Sequence, residues 1–222
     1  MRQRRLKDLE ERLQRCSEYI VEKPDPDIWQ EDPARPLYLE IGCGKGDFII
    51  SKAFQEPGSD FVAVEGQESV IVRALEKAFA KECPNVKFTN AYLDHMEDFF
   101  RENQLEGVYL NFSDPWPKAR HAKRRLTHRQ RMADYAWGIR PGGFIAFKTD
   151  NEDLFTFTLE EVEAIQQGAF PGIRLETVEF TRDLHGPDCS YEAAGTMTEY
   201  EKKFCETGKN INYIKLIVRK GE

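Results

Sequence analysis

The chain reads as an open α/β protein, a mostly parallel sheet of seven strands with helices on both faces. Three observations predict it. Short apolar runs alternate five times with stretches of helical period. The first run ends in Gly42-Cys-Gly44-Lys-Gly46, the kind of turn at which doubly wound sheets meet a ligand. After the fifth unit, strand-like runs at 173–180 and 212–219 are expected to pair as an antiparallel C-terminal edge.

Residues 3–20 carry Leu6, Leu9, Leu13, Tyr19 and Ile20 near helical spacing, with Arg and Lys between them. That pattern predicts a helix docked through a leucine stripe with a basic outer face. Residues 22–36, rich in proline and acids, read as a connector, so 1–35 are set apart from a main domain at 36–222. Leu37-Tyr-Leu-Glu-Ile41 is the first strand, and a helix should begin near Asp47 with Phe48, Ile49 and Ala53 inward. A strand at 60–66 ends in Glu65-Gly66. The clearest helical period covers 67–82, where Val70, Ile71, Ala74, Leu75, Ala78 and Phe79 share a face and Pro84 is the stop. Next come a strand at 86–91 and a helix at 94–103, then a strand at 107–110 and a helix at 124–138. The fifth strand, 142–151, is entered through Pro141-Gly142, and Asp150 or Asn151 is placed to cap the helix that follows. Residues 182–197 read as an exposed loop, and a short helix starts at 198.

A charged fraction of 32% beside a hydrophobic fraction of 40% suits a folded globular chain. Nowhere do eighteen apolar residues run together, and the N-terminal residues lack the apolar core of a secretory signal, so a cytoplasmic protein without a membrane span is expected. The five cysteines form no paired framework and read as reduced thiols, with no metal site among them. A net charge of −7 argues against a general nucleic-acid coat. Its positive charge is nevertheless segregated, in blocks at 2–15 and 118–131, which favours an enzyme acting on RNA or a phosphate-bearing substrate.

The glycine turn could serve either NAD or S-adenosylmethionine. The dinucleotide fingerprint wants a glycine where Asp47 stands, and an acid at that helix end would repel a pyrophosphate. A cationic, phosphate-free cofactor suits the acids better. Glu40 is placed for an amino-acid moiety, Glu65 for ribose hydroxyls and Asn90 for adenine, each at the end of a successive strand.

The most distinctive stretch follows the fourth strand: Asn111-Phe-Ser-Asp114-Pro-Trp116-Pro-Lys118. Each proline fixes its own φ and pushes the preceding residue towards extended backbone, so Asp114 and Trp116 are expected in a stiff, non-helical turn. Lys118, Arg120, Lys123, Arg124 and Arg125 follow with no acid between Pro115 and Met132. A braced carboxylate beside a polyanion-binding strip is the reading. His121 and His128 belong to that strip as polar members, and Trp116 is either a platform for a base or a wedge beneath the loop.

Together with the Glu40–Phe48 turn and Thr198-Glu-Tyr-Glu201, these motifs resemble the bacterial tRNA (guanine-N7-)-methyltransferases of the TrmB type over roughly residues 37–218. The resemblance implies a class I S-adenosylmethionine-dependent methyltransferase fold, Rossmann-like, acting on guanine 46 of the tRNA variable loop. It implies cofactor contacts at Glu40, Gly42, Gly44, Glu65, Asn90 and Asp114, and substrate contacts at Lys118, Asp150, Thr198 and Glu201. Asn90 departs from a position that is often aspartate in the family, and the 186–195 insert is unfamiliar in detail. Asp114 is expected to stabilise charge on the guanine, while Asp150 or Glu201 accepts from its N1–H and N2–H₂ edge. Arg120, Lys123, Arg124 and Arg125 would hold tRNA phosphates. The partner expected is tRNA, with the protein a monomer or homodimer.

Overall fold

A computed structural model of the protein describes residues 8–30 and 32–221. Five strands run parallel: β1 (Leu37–Ile41), β2 (Asp60–Val64), β3 (Val86–Thr89), β4 (Leu105–Asn111) and β5 (Ile139–Thr149). The sheet closes with β6 (Ile173–Thr181) and β7 (Asn212–Lys220), antiparallel, in the order β3-β2-β1-β4-β5-β7-β6. The strand order reverses beside β1, where the chain leaves for β2 on one side and later returns as β4 on the other. That reversal opens a crevice at the carboxyl ends of β1 and β4.

Helices cover both faces because their apolar stripes have nowhere else to go. From α2 (Asp47–Gln55) and α3 (Glu68–Ala80), Ile49, Ile50, Ile71 and Leu75 bury against Phe61 and Phe88. From α4 (Arg129–Gly138) and α5 (Glu152–Gln166), Met132, Tyr135, Phe155 and Val162 bury against Leu39, Val108 and Phe147 on the other face. Asn151 caps α5, its side-chain oxygen accepting from Leu154 N at 2.8 Å. A smaller cluster of Ala146, Leu184, Ile211 and Tyr213 seats residues 182–211 and α6 (Glu199–Glu206) on the β5–β7 end of the sheet.

Several elements differ from the sequence expectation. The N-terminal helix is α1 (Leu9–Arg15) followed by a single 3₁₀ turn, and residues 1–7, part of the first basic block, lie outside the described residues. Its outer face is partly neutralised, since Arg12 holds Glu76 of α3 through two 2.7 Å hydrogen bonds. The expected helix at 94–103 is only the 3₁₀ turn Met96–Asp98. Phe99 and Phe100 are both buried, and Trp29 stacks on Phe100 while donating to Phe99 O at 2.7 Å, taking the carbonyl that a continuing helix would use. The α3 helix ends four residues before Pro84, through a left-handed Glu82 at φ 50°. The helix expected from 124 begins at Arg129, because 119–124 is a 3₁₀ turn and Arg125 is extended.

Gly46 starts α2 in the left-handed region at φ 77°, and a Cβ there would sit 2.7 Å from the Cβ of Ala74 in α3. Strain and overpacking therefore act together. Gly46→Ala should lower unfolding stability by about 2–4 kcal/mol, measured by chemical denaturation. A change below about 0.5 kcal/mol, the scale of a neutral surface substitution, would contradict this account of the turn.

Candidate active site

The crevice is built from the carboxyl ends of β1 and β4, the glycine turn and the head of α6. Glu40, Gly42, Gly44, Asp47, Asn111, Phe112, Thr198 and Tyr200 all line it. Gly42 and Gly44 take positive φ, 77° and 57°, and both face open space where a side chain would otherwise intrude. The turn is pinned from behind: the Gly42 and Cys43 N–H groups donate to Val64 O at 2.8 and 3.1 Å. Glu65 joins in, accepting from Gly44 N at 3.2 Å and Gln67 N at 2.8 Å.

Glu40 is the most constrained group in the crevice. Its side chain is 1% exposed; one oxygen accepts from Asn111 Nδ2 at 2.8 Å, and the other is buried with no partner among the described residues. Burial pushes this carboxyl up to about 7, against the pull of Asn111 and Lys148. A buried carboxylate with an orphaned oxygen calls for a partner, which an ordered water or a cationic group can supply. Asn90 is exposed at the end of β3, its amide donating to Glu65 O at 2.7 Å. Asp47 is balanced by Lys77 at 2.5 Å, so the helix end is less repulsive to anions than the sequence alone suggests.

Asp114 stands two residues beyond Phe112, exposed and without a hydrogen bond or ion pair among the described residues. Its loop is braced otherwise than expected. Phe112 and Trp116 adopt φ of 51° and 41°, so Trp116 is left-handed, not extended, although a proline follows it. Such backbone persists only when its surroundings enforce it. Here Arg125 donates to Pro115 O at 3.0 Å and to Trp116 O at 3.1 Å, with its guanidinium 4.2 Å over Phe157. Arg125 is thus a brace for the loop through its Nε and Nη2. Arg124 lies 4.9 Å over the Trp116 ring, whose other contact is the edge of His121. Lys118, Arg120, Lys123 and Arg124 are exposed, and none forms an ion pair among the described residues.

Asp150 and the Thr198–Glu201 motif are placed differently from one another. The register pairs Asn111 with Lys148, so Ser113 and Asp150 stand two residues further along neighbouring chains. Asp150 is ion-paired with Lys209. Thr198 caps α6 and Glu201 completes a capping box, each carrying the other's backbone N–H at 3.0 and 3.1 Å. Glu201 is fully buried and also binds Lys148 at 3.0 Å and His185 at 2.8 Å. Its carboxylate is saturated within the protein, which corrects the expectation that it reads a guanine edge. His128 likewise caps α4 and is held low by burial.

Comparisons with known proteins decide the family. Residues 34–214 match the methyltransferase family model Methyltransf_4. A tRNA (guanine-N(7)-)-methyltransferase of Mesoplasma florum is 42% identical over 192 residues, 84% of this chain and 82% of that protein. The protein of that name from Lactococcus lactis subsp. cremoris SK11 is 39% identical over 215 residues, 95% of each. The chain belongs to the tRNA (guanine-N7-)-methyltransferase family. A solved 16S rRNA methyltransferase, KamB, superposes over 99% of this chain and 96% of its own with a TM-score of 0.59 at 15% identity, which supports the class I fold.

S-Adenosylmethionine fits the residues present in this methyltransferase: an orphaned Glu40 oxygen for an ammonium, an open glycine cradle, and Glu65 and Asn90 at the next two strand ends. Among the described residues no group of three His, Cys, Asp and Glu side chains could hold a metal, and no helix is long and apolar enough to cross a membrane. Sequence reasoning missed Asn111, Ser113, Lys45 and Lys148. Asn111 opens the proline-tryptophan motif and Lys148 lies at the end of β5, but only the strand register shows that they meet beside Glu40. Ser113 Oγ, buried without a partner among the described residues, has no signal beyond its place in the motif.

Glu40→Gln removes the desolvated charge. The raised carboxyl means the charged form penalises folding above pH 7 and not below about 4.5. The variant should therefore be more stable than the parent at pH 8, by about 1–3 kcal/mol, with the gap closing towards pH 4.5, while donor affinity falls. Equal stability at pH 8 in thermal melts would contradict it.

Proposed function

We propose that the protein transfers the methyl group of S-adenosyl-L-methionine to N7 of guanine 46 in the variable loop of tRNA, forming 7-methylguanosine. The observation that carries this reading is the crevice itself: a buried, half-satisfied carboxylate on one wall, and an unpaired carboxylate loop running into an acid-free cationic strip on the other. The cofactor supplies an electrophilic methyl on a sulfonium. Glu40, Gly42, Gly44, Glu65 and Asn90 hold it.

Guanine N7 offers an in-plane lone pair and carries no proton at neutral pH, so no general base is required. The protein's work is alignment and charge stabilisation. Positioning contributes roughly 7–11 kcal/mol in favourable cases. As positive charge moves onto the purine, the fixed Asp114 carboxylate is placed to stabilise it, and its freedom from internal ion pairs keeps that charge available. Asp150, level with Ser113, accepts from the N1–H and N2–H₂ edge; Thr198 presents the α6 wall. Lys118, Arg120, Lys123 and Arg124 hold backbone phosphates, and Trp116, already under Arg124, gives a face for an unstacked base. The site of action is the cytoplasm, where tRNA and free thiols coexist, and the catalytic domain takes in residues 16–29 as well as 36–221, since Cys16, Tyr19, Val21 and Trp29 all belong to its core.

Incubation with labelled S-adenosylmethionine and an unmodified tRNA transcript should yield 7-methylguanosine at position 46, and a transcript lacking that guanine should not be labelled. Asp114→Ala should reduce turnover at least 100-fold, the scale of losing one charge-stabilising group, with tRNA affinity changed less than about threefold. Near-normal turnover would contradict the assignment. The pair Lys123→Ala, Arg124→Ala should weaken tRNA binding and flatten its salt dependence by a slope of roughly one to two, leaving donor affinity unchanged; an unaltered salt slope would remove these residues from the interface.

A further inference from the structure

Two lysines that the reaction does not use hold the head of α6. From beneath, the buried Lys148 ammonium donates to Ala193 O at 2.6 Å, Thr196 O at 2.9 Å and Glu201. From across the crevice, Lys45 at the crest of the glycine turn reaches Glu199 in the first turn of α6, with Nζ 2.9 and 2.7 Å from the two carboxylate oxygens. The second contact joins segments 154 residues apart. Both partners line the crevice, with Gly42 and Gly44 on one side and Thr198 and Tyr200 on the other.

Neither segment needs the Lys45–Glu199 pair for its own fold. The glycine turn is already fixed to Val64 and Glu65, and α6 is already capped and anchored by Lys148. Both side chains are about one-third exposed, 35% and 34%, so the pair adds little to global stability. What it sets is the separation of two walls that are otherwise built independently. Lys203, one turn further on, donates to Glu199 at 3.1 Å and steadies the carboxylate without crossing the crevice. The Lys45 and Lys203 ammoniums hold the Glu199 carboxyl down to about 2, so the contact stays ionic at any pH at which the protein works.

We propose that Lys45 and Glu199 are positioning residues acting as one clasp, which sets the gap between the donor's glycine turn and the acceptor-side head of α6. The clasp rests on the reading of this crevice as the donor site. It gives a role to the lysine between two left-handed glycines, and it links donor occupancy to the α6 wall on the proposed tRNA side.

The test is a double-substitution cycle on the full chain, using Lys45→Met, Glu199→Gln and the pair together, with Lys45→Arg as the charge-retaining variant and Lys203→Met as a control. In the donor-free protein, amide exchange of 198–202 should quicken at least threefold in each single variant while Tm stays within about 2 °C. The S-adenosylhomocysteine dissociation rate should rise five- to twentyfold. The double variant should be no worse than either single, because one contact is lost once. Lys45→Arg should recover most of the loss, and Lys203→Met should change little. Additive effects of the two substitutions, parent-like exchange and dissociation in the singles, or a Lys45→Arg variant as impaired as Lys45→Met would each overturn the clasp. Failure of the parent protein to bind S-adenosylhomocysteine by calorimetry would instead overturn the donor-site reading, while the exchange result still decides whether the walls are coupled.

Discussion

Glu40 is held in a place that water would not choose for it. Its carboxyl sits at the carboxyl end of β1, where both neighbouring strands are buried, with one oxygen bonded to Asn111 and the other facing nothing. A lone carboxylate in such a place disfavours the folded state unless it is neutralised or paired. Asn111 and, at greater range, Lys148 offset part of that penalty, and the remainder is left for a cationic ligand. On the proposed function the donor's ammonium lies against this oxygen, and the Asn111 hydrogen bond ties it to the start of the Asp114 loop.

The second wall of the crevice follows a different logic. Lys148 is as deeply buried as Glu40, but its ammonium is saturated by two carbonyls and Glu201. Burial alone would drive this lysine to lose its charge; Glu201 opposes that. The resulting network anchors residues 193–201 on the sheet and makes Glu201 a structural group. A fully satisfied ion pair builds the α6 wall, and a half-satisfied carboxyl marks the wall opposite. Glu40 ends a strand with one oxygen unpartnered among the described residues, whereas Glu201 completes a capping box with both oxygens engaged.

Most of the architecture was legible in the sequence because it rests on periodicity. All seven strands, the glycine turn and α3 follow from apolar spacing, and the C-terminal antiparallel pair follows from chain order. The failures share a cause. Residues 99–103 hold no helix because their backbone groups are taken from afar: Phe99 O accepts from Trp29, seventy positions away in the chain, and Asn103 N donates to Trp137 O. Arg125 looked like one more cation in a basic run; its bonds to Pro115 and Trp116 depend on a left-handed Trp116 that proline rules argue against. Glu201 was read as a contact for the guanine edge, and only the Lys148 beneath it, 53 residues earlier in the chain, shows that its carboxylate is already engaged. Motifs reported which residues carry chemistry, but the partners that assign their roles came from long-range packing.

The central claim is that a neutral, buried Glu40 becomes the ionised partner of the donor's ammonium. Calorimetric titration of S-adenosylmethionine at pH 6, in buffers of different ionisation enthalpy, measures this directly as protons released. The account predicts release approaching one proton per donor bound, falling away above pH 8 and absent from Glu40→Gln. Binding at pH 6 with no net proton release would contradict it.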